Sequence, residues 1–261
     1  MKNLFWQIIL AFCLLLKAKA GFVGSGCGLH FLSDAESNVF FEKFLQNRNL
    51  GDFALRIKLE SFSRQYGHII SDGVVLHRRI NGSSAYYVEI ADGTENSRKF
   101  LMKDGKILTN FSGYFNPNEP FIVESLYTPN DILFPFLNPN CRFKYFGPKK
   151  VCGRTTQQFI VQIDGNLLGP DIKYVRVSID SVFFQALEIE YLNDKRKFVS
   201  RQRILSLCRR NDYWQLKTLE LFNIATRERS KVTIVDSDFN PEFGDVFSES
   251  NLRLQHSLAQ R

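Results

Sequence analysis

The stretch Phe53-Ala54-Leu55-Arg56-Ile57-Lys58-Leu59-Glu60 decides the fold class. Apolar Phe53, Leu55, Ile57 and Leu59 alternate with Ala54, Arg56, Lys58 and Glu60. Successive side chains of a strand point to opposite faces, so a period of two marks a strand with one buried face. The same period returns downstream and predicts strands over roughly 68–79, 84–91, 98–103 and 106–111. Gly82, Gly93 and Asp104-Gly105 punctuate them. Asp-Gly between Phe100-Leu101-Met102 and Ile107-Leu108 predicts a tight hairpin, because both central positions of that turn need positive φ.

A second series follows. Phe143 to Val151, a Gly153-Arg154 turn and Gln158 to Ile163 read as one hairpin. Tyr174 to Asp180, Phe183 to Tyr191, Lys197 to Cys208, Tyr213 to Asn223 and Arg229 to Ser237 continue it, joined by short polar turns. Antiparallel neighbours need only tight connections, so such a series is a meander. Helical patterns are few. Asp34 can cap a helix with apolar Val39, Phe40, Phe44 and Leu45, ending near Asn49. Thr128-Pro129-Asn130-Asp131 opens a short apolar helix from Ile132 to Leu137, closed by Pro139. Long runs of strands with helices set apart exclude βαβ units. The expected class is α+β: one strongly curved antiparallel sheet, with both helices covering its concave face.

The first twenty residues read as an export signal. Lys2 is followed by an apolar run from Leu4 to Leu16, and Ala18-Lys19-Ala20 supplies the small residues at a cleavage site after Ala20. The run is shorter than the roughly 17 to 25 residues a spanning helix needs. Residues 21–33 are Gly-rich and expected to be flexible, 34–252 form the domain, and 253–261 are a tail. The signal holds three of the 34 basic residues and none of the 27 acidic ones, leaving a net charge of +4. That mild excess does not call for nucleic acid. Arg196, Arg201, Arg203, Arg209 and Arg210 are the densest basic stretch, and most of them alternate with apolar residues as a solvated strand face would.

Cys27, Cys141, Cys152 and Cys208 follow the signal, and four cysteines allow three complete pairings. A strand between Cys141 and Cys152 holds them about 30 Å apart and forbids that bridge. The sequence contains no H-E-x-x-H, paired C-x-x-C, G-x-S-x-G or P-loop pattern, so no metal, cofactor or catalytic residue is assigned. Carboxylates are scattered; a distant pair such as Glu188 and Glu220 could converge in space, but nothing in the spacing indicates it.

The 25 phenylalanines are the main compositional signal. Alternation places Tyr86, Val88 and Ile90 on one face of their strand. It does the same for Val175, Val177 and Ile179, for Phe183, Leu187, Ile189 and Tyr191, and for Val232 and Ile234. The opposite faces carry Arg176, Ser178, Glu188, Glu190, Lys231 and Thr233. An apolar face of this length needs a cover, and two short helices leave room for a cavity. An aromatic-rich filled core is the other reading.

Several stretches resemble the LolA-like outer-membrane lipoprotein-sorting family. They are Ala85-Tyr-Tyr-Val-Glu-Ile-Ala-Asp-Gly93, Pro129-Asn-Asp-Ile-Leu-Phe-Pro-Phe-Leu137, Phe146-Gly-Pro-Lys-Lys-Val-Cys-Gly-Arg154 and Val175-Arg-Val-Ser-Ile-Asp180, with the closing strands Trp214-Gln-Leu-Lys217, Leu219-Glu-Leu-Phe-Asn223 and Val232 to Asn240. The resemblance spans roughly residues 35–252. It implies an incomplete β-barrel of the LolA/LolB type, lidded by helices, in the periplasm. It also implies a monomeric carrier of acylated lipoproteins or lipids that exchanges cargo with inner- and outer-membrane transfer proteins. The apolar faces above would line the cavity, and Leu133, Phe134, Phe136 and Leu137 would form its lid. An envelope sensor or scaffold that binds a protein partner through the same sheet is the alternative. The family's lid-gating arginine has no assignable counterpart here.

Overall fold

The structure is a computed structural model, described for residues 29–46, 51–81, 83–91, 97–111, 115–138, 140–210, 213–239 and 241–252. The segment read as an export signal, its expected cleavage site, Cys27 and residues 253–261 lie outside these residues.

Twelve antiparallel strands form one sheet that does not close. They are β1 (Phe53–Ser63), β2 (Gly67–Ile80), β3 (Ser83–Ala91), β4 (Ser97–Lys103), β5 (Lys106–Thr109), β6 (Phe143–Val151), β7 (Arg154–Gln162), β8 (Tyr174–Asp180), β9 (Ala186–Leu192), β10 (Phe198–Arg210), β11 (Tyr213–Asn223) and β12 (Arg229–Phe239). Their order is β5-β4-β3-β2-β1-β12-β11-β10-β9-β8-β7-β6. The chain thus runs outward as one meander to β5, restarts at β6 as the far edge, and meanders back until β12 lies beside β1. Both edges are protected against further pairing. β5 has four residues, and β6 carries Lys144, Lys149, Lys150, Pro148 and a register shift between Tyr145 and Gly147.

The chain divides into two compact units. One holds Gly51–Leu133 and the chain from Arg227 on; the other holds the N-terminal helix and Phe134–Thr226.

In the first unit, the β1 alternation appears as buried Phe53, Leu55, Ile57 and Leu59 against half-buried or exposed Ala54, Arg56, Lys58 and Glu60. Asp104 (φ 51°) and Gly105 (φ 76°) make the expected turn between β4 and β5. Gly73 is needed for close approach: a Cβ there would lie 2.9 Å from the Glu89 carbonyl oxygen. β2 to β4 are buried on both faces. One face meets a C-terminal segment, not foreseen from the sequence, that holds a 3-10 turn (Asp245–Phe247) and a short helix (Glu249–Leu252). Phe247 and Leu252 pack there against Val74, Leu76, Ala85, Tyr87 and Leu101.

In the second unit, α1 (Asp34–Gln46) starts as the sequence suggests but on a different cap. Ser33 and Glu36 form a reciprocal capping box: the Ser33 amide donates to Glu36 Oε2 (2.8 Å) and the Glu36 amide to Ser33 Oγ (3.4 Å). The Ser33 amide and hydroxyl, both donating to Oε2, hold the Glu36 carboxyl below its usual range. The buried stripe also differs from the expected one. It is Ser37, Phe41 and Phe44, whereas Val39 stays 51% exposed. The aromatic partners choose this face: Phe41 lies 4.1 Å from the Phe143 ring and 4.8 Å from Phe159, both on the sheet.

Three further expectations are corrected. The middle helix α2 spans only Asn130–Leu133. Phe134 precedes Pro135, and the proline ring disfavours helical backbone at the residue before it; Phe134 takes φ 39° and the helix stops. The turn after β6 is Cys152-Gly153 (φ 51° and 77°), and Arg154 already belongs to β7. Finally, β9 begins at Ala186, so Phe183 lies in the turn before it. Among the described residues, Cys152 and Cys208 are free thiols.

Candidate functional site

The registers decide which side chains share a face, since residues directly opposite on neighbouring strands point the same way. In the first unit, Phe53, His77, Tyr86, Met102 and Ile107 form one row, and Leu55, Val75, Val88 and Phe100 the next. A third joins Ile57, Gly73, Ile90 and Arg98, with Ile234 opposite Ile57 and Val232 opposite Leu59. Tyr86, Val88, Ile90, Val232 and Ile234 therefore belong to one face, as alternation predicts. Val232 is half-buried at its margin.

The cover over this face is mostly irregular chain. Phe100 is met nearly edge-on by Phe111 (5.6 Å), Phe115 (5.1 Å) and Phe121 (4.9 Å). Leu126 donates its amide to Ser230 Oγ at 2.8 Å. Thr128 and Asp131 close a turn into α2, the Thr128 amide and hydroxyl both donating to Asp131 Oδ2 at 2.9 Å. The phenylalanines at 111, 115 and 121 were visible in the sequence, but no periodicity assigned them to a cover.

Tyr86, Val88 and Ile90 are 0–2% exposed. A void large enough for water beside them would leave them exposed to it, so this face is filled and closed in the conformation seen. Within it sits His77, whose ring stacks on Phe53 (4.8 Å) with Nδ1 3.0 Å from the Gly51 carbonyl oxygen and Nε2 3.0 Å from Ser84 Oγ. Nδ1–H donating to the carbonyl and Ser84 O–H donating to Nε2 suit the neutral ring. Burial pushes the imidazole from 6.5 down to about 4, against the opposing pull of the Gly51 carbonyl and Asp52. The folded state thus takes up its proton at lower pH than the unfolded chain. The stabilisation is complete above pH 6.5 and is lost as pH falls towards 4, a difference of about 3 kcal/mol. Urea midpoints measured across this range will fall steeply for the native sequence and less for His77→Gln. Equal slopes would assign the acid sensitivity elsewhere.

In the second unit, Phe159, Val177, Ile189, Gln202 and Leu221 form one row, and Val161, Val175 and Tyr191 the next. Ile179 lies on the same side of β8, and Leu187 sits at the irregularity where Ile179 pairs with Ala186. All of Val175, Val177, Ile179, Leu187, Ile189 and Tyr191 are buried. α1 covers the β6–β7 end through Phe40, Phe41, Phe143 and Phe159. Of the residues read as a lid, Leu133 closes the first unit, while Phe134, Phe136 and Leu137 belong to the second. All four are 1–4% exposed. Phe136 meets the Phe134 ring at 5.7 Å and the Tyr191 ring at 6.4 Å. Phe183 does not join this face. Its ring lies under the Arg154 guanidinium (4.4 Å) at the β8 end.

The opposite face is not the solvated one that alternation suggested. Ser178 and Glu188 are 0% and 3% exposed. Glu188 is ringed by Lys149 Nζ (2.6 Å), Arg203 Nε (3.7 Å) and Arg201 Nη1 (3.8 Å), and Arg176 pairs with Glu190 (3.2 Å). The densest basic stretch of the sequence is thus partly spent on internal ion pairs. Glu188 and Glu220 lie on one row with Arg203 between them, roughly 10 Å apart at the strand spacing. They do not form a carboxylate pair. Among the described residues no three His, Cys, Asp or Glu side chains gather as a metal site.

The fold these units build is LolA-like. An outer membrane lipoprotein-sorting protein domain from Vibrio parahaemolyticus superimposes with a TM-score of 0.65 at 13% identity, covering 83% of this chain and 97% of that one. A DUF1329 family protein from Desulfovibrio piger gives 0.67 at 10% identity over 82% and 96%. A LolA superfamily protein from Nitrosomonas europaea gives 0.64 at 10% identity over 82% and 97%. No family model and no curated protein matches the sequence. At these identities the likeness is one of fold.

Proposed function

We propose that this chain is exported to the periplasm, with cleavage after Ala20, and there binds and carries acyl chains of lipids or lipoproteins. The supporting observation is the placement of the apolar faces. Ten of the twelve residues selected by alternation lie buried on an open sheet, beneath covers made of irregular chain and short helices rather than a second sheet. Such covers have few regular hydrogen bonds to break and open at lower cost than a packed sheet. The need for a closed site is physical. Each buried CH₂ is worth about 0.8 kcal/mol, so a long acyl chain left in water costs on the order of ten kcal/mol. A soluble carrier must exclude water when loaded and close when empty, and the filled faces correspond to the empty state.

In this reading Tyr86, Val88, Ile90, Val232 and Ile234 in one unit, and Val175, Val177, Ile179, Leu187, Ile189 and Tyr191 in the other, contact the chain. Phe134, Phe136 and Leu137 act as a lid over the second set, and Leu133 closes the first. Native mass spectrometry of the mature protein, purified from its own envelope without detergent, tests the reading. Stoichiometric lipid or acylated peptide supports it. A clean apo mass with no uptake of a fluorescent acylglycerol ester replaces it with an envelope scaffold whose core stays filled. Phe136→Asp should abolish lipid uptake while the domain stays folded, because the carboxylate faces Tyr191 in an apolar contact. Unchanged uptake would remove Phe136 from the lid.

A further inference from the structure

We infer that Gln202 selects the cargo of the second unit, its side-chain amide pairing with the carbonyl of an ester- or amide-linked acyl chain; this rests on the carrier reading above. Gln202 stands in the row Phe159, Val177, Ile189, Gln202, Leu221, whose members are 0, 0, 0, 1 and 5% exposed. It is the one amide of that row, and neither its Nε2 nor its Oε1 has a partner among the described residues.

Two other buried glutamines of the unit show the contrast. Gln158 donates to Ser178 Oγ at 3.0 Å. Gln157 accepts from the Tyr145 hydroxyl at 2.6 Å and donates to the His30 carbonyl oxygen at 3.2 Å. A buried amide without partners destabilises the closed state, and a hydrocarbon ligand would gain nothing from it. A ligand bearing a hydrogen-bond acceptor would relieve it.

The neighbouring side chains narrow the acceptor. A carboxylate brought to this row would be desolvated without a cation, at high cost. Arg176, Arg201 and Arg203 lie on rows of the opposite face, where Glu188 and Glu190 engage them together with Lys149. A free fatty acid is therefore disfavoured. A neutral carbonyl, as in a glycerol ester or an N-acyl group, accepts from Nε2 with no charge to bury.

The test compares 1-palmitoylglycerol with 1-O-hexadecylglycerol, a chain of equal length with no carbonyl, by displacement of an apolar fluorescent dye. The native protein should prefer the ester by roughly five- to tenfold, the worth of one net hydrogen bond. Gln202→Met, close in length and apolar, should lose that preference and unfold at a higher temperature, since no amide is then buried unpaired. Because this variant is expected to gain stability, misfolding does not confound the comparison. An ester-to-ether ratio that is the same in both proteins overturns the role of Gln202 while leaving the carrier reading intact. Failure of the native protein to bind either lipid overturns the carrier reading, and the role of Gln202 with it.

Discussion

Asp180→Ala will lower the stability of the second unit by about 3 kcal/mol, near the low end for breaking a buried ion pair because Arg154 keeps some solvent. Asp180 is 1% exposed and ends β8. Its carboxylate accepts from Arg154 Nε and from Arg154 Nη2 (3.2 Å), and from the backbone amides of Val182 (2.9 Å) and Phe183 (2.8 Å). Its own amide donates to the Gln185 carbonyl oxygen at 2.7 Å. One side chain thereby ties the start of β7 to the turn that leads into β9. Removing it leaves the guanidinium, 34% exposed and stacked on Phe183, without its counter-charge. Urea unfolding followed by fluorescence measures the loss. Asp180→Asn should lose less, because an amide oxygen still accepts from the turn. An alanine variant as stable as the native protein would show that the turn holds without the carboxylate.

Phe100→Ala will destabilise the first unit by about 3–5 kcal/mol, the usual range for deleting a buried phenyl ring. Phe100 is 0% exposed, and three of its ring contacts come from residues of the cover. The cost should therefore fall unevenly. Among the described residues, the segment 115–127 is held by scattered hydrogen bonds rather than a strand ladder, such as that from Leu126 to Ser230 and a long contact from Arg98 to the Phe121 carbonyl oxygen (3.4 Å). Its amides should exchange hydrogen much faster in the variant, with α1 unchanged. Binding of an apolar dye should rise as Tyr86, Val88 and Ile90 become reachable. Exchange that accelerates equally in β1 and in the cover would mean that Phe100 supports the whole unit rather than its cover.

Strand positions were legible in the sequence because alternation is a local consequence of the pleat. Tyr174–Asp180 and Tyr213–Asn223 fall where the pattern puts them, and Asp104-Gly105 forms its hairpin. The errors have local and non-local causes. The helix expected through Leu137 was stopped by a rule in plain view, the restriction that Pro135 places on Phe134. Phe183 looked like the first residue of a strand, but the Asp180 carboxylate draws the amides of Val182 and Phe183 into a turn instead. Val39 fitted the helical period as well as Phe41 did. Only the rings of Phe143 and Phe159, more than a hundred residues away, select Phe41.

The sequence by itself determined the strands, their two faces and most of their turns, because each of these depends on neighbours a few residues apart. The tertiary structure alone decided what covers those faces. β2 to β4 acquire a second buried face because the C-terminal Phe247 and Leu252 come to rest on it. The face of β8 and β9 that reads as solvated becomes an ion-pair cluster, because Lys149 from β6 and Arg201 and Arg203 from β10 converge on Glu188. Gln202, one polar residue among several in an alternating strand, becomes an isolated amide in an apolar row only once β9 and β11 are set beside it. A period of two says which way a side chain points. What it meets there is set by segments far away in the chain, and burial and charge pairing follow from that meeting.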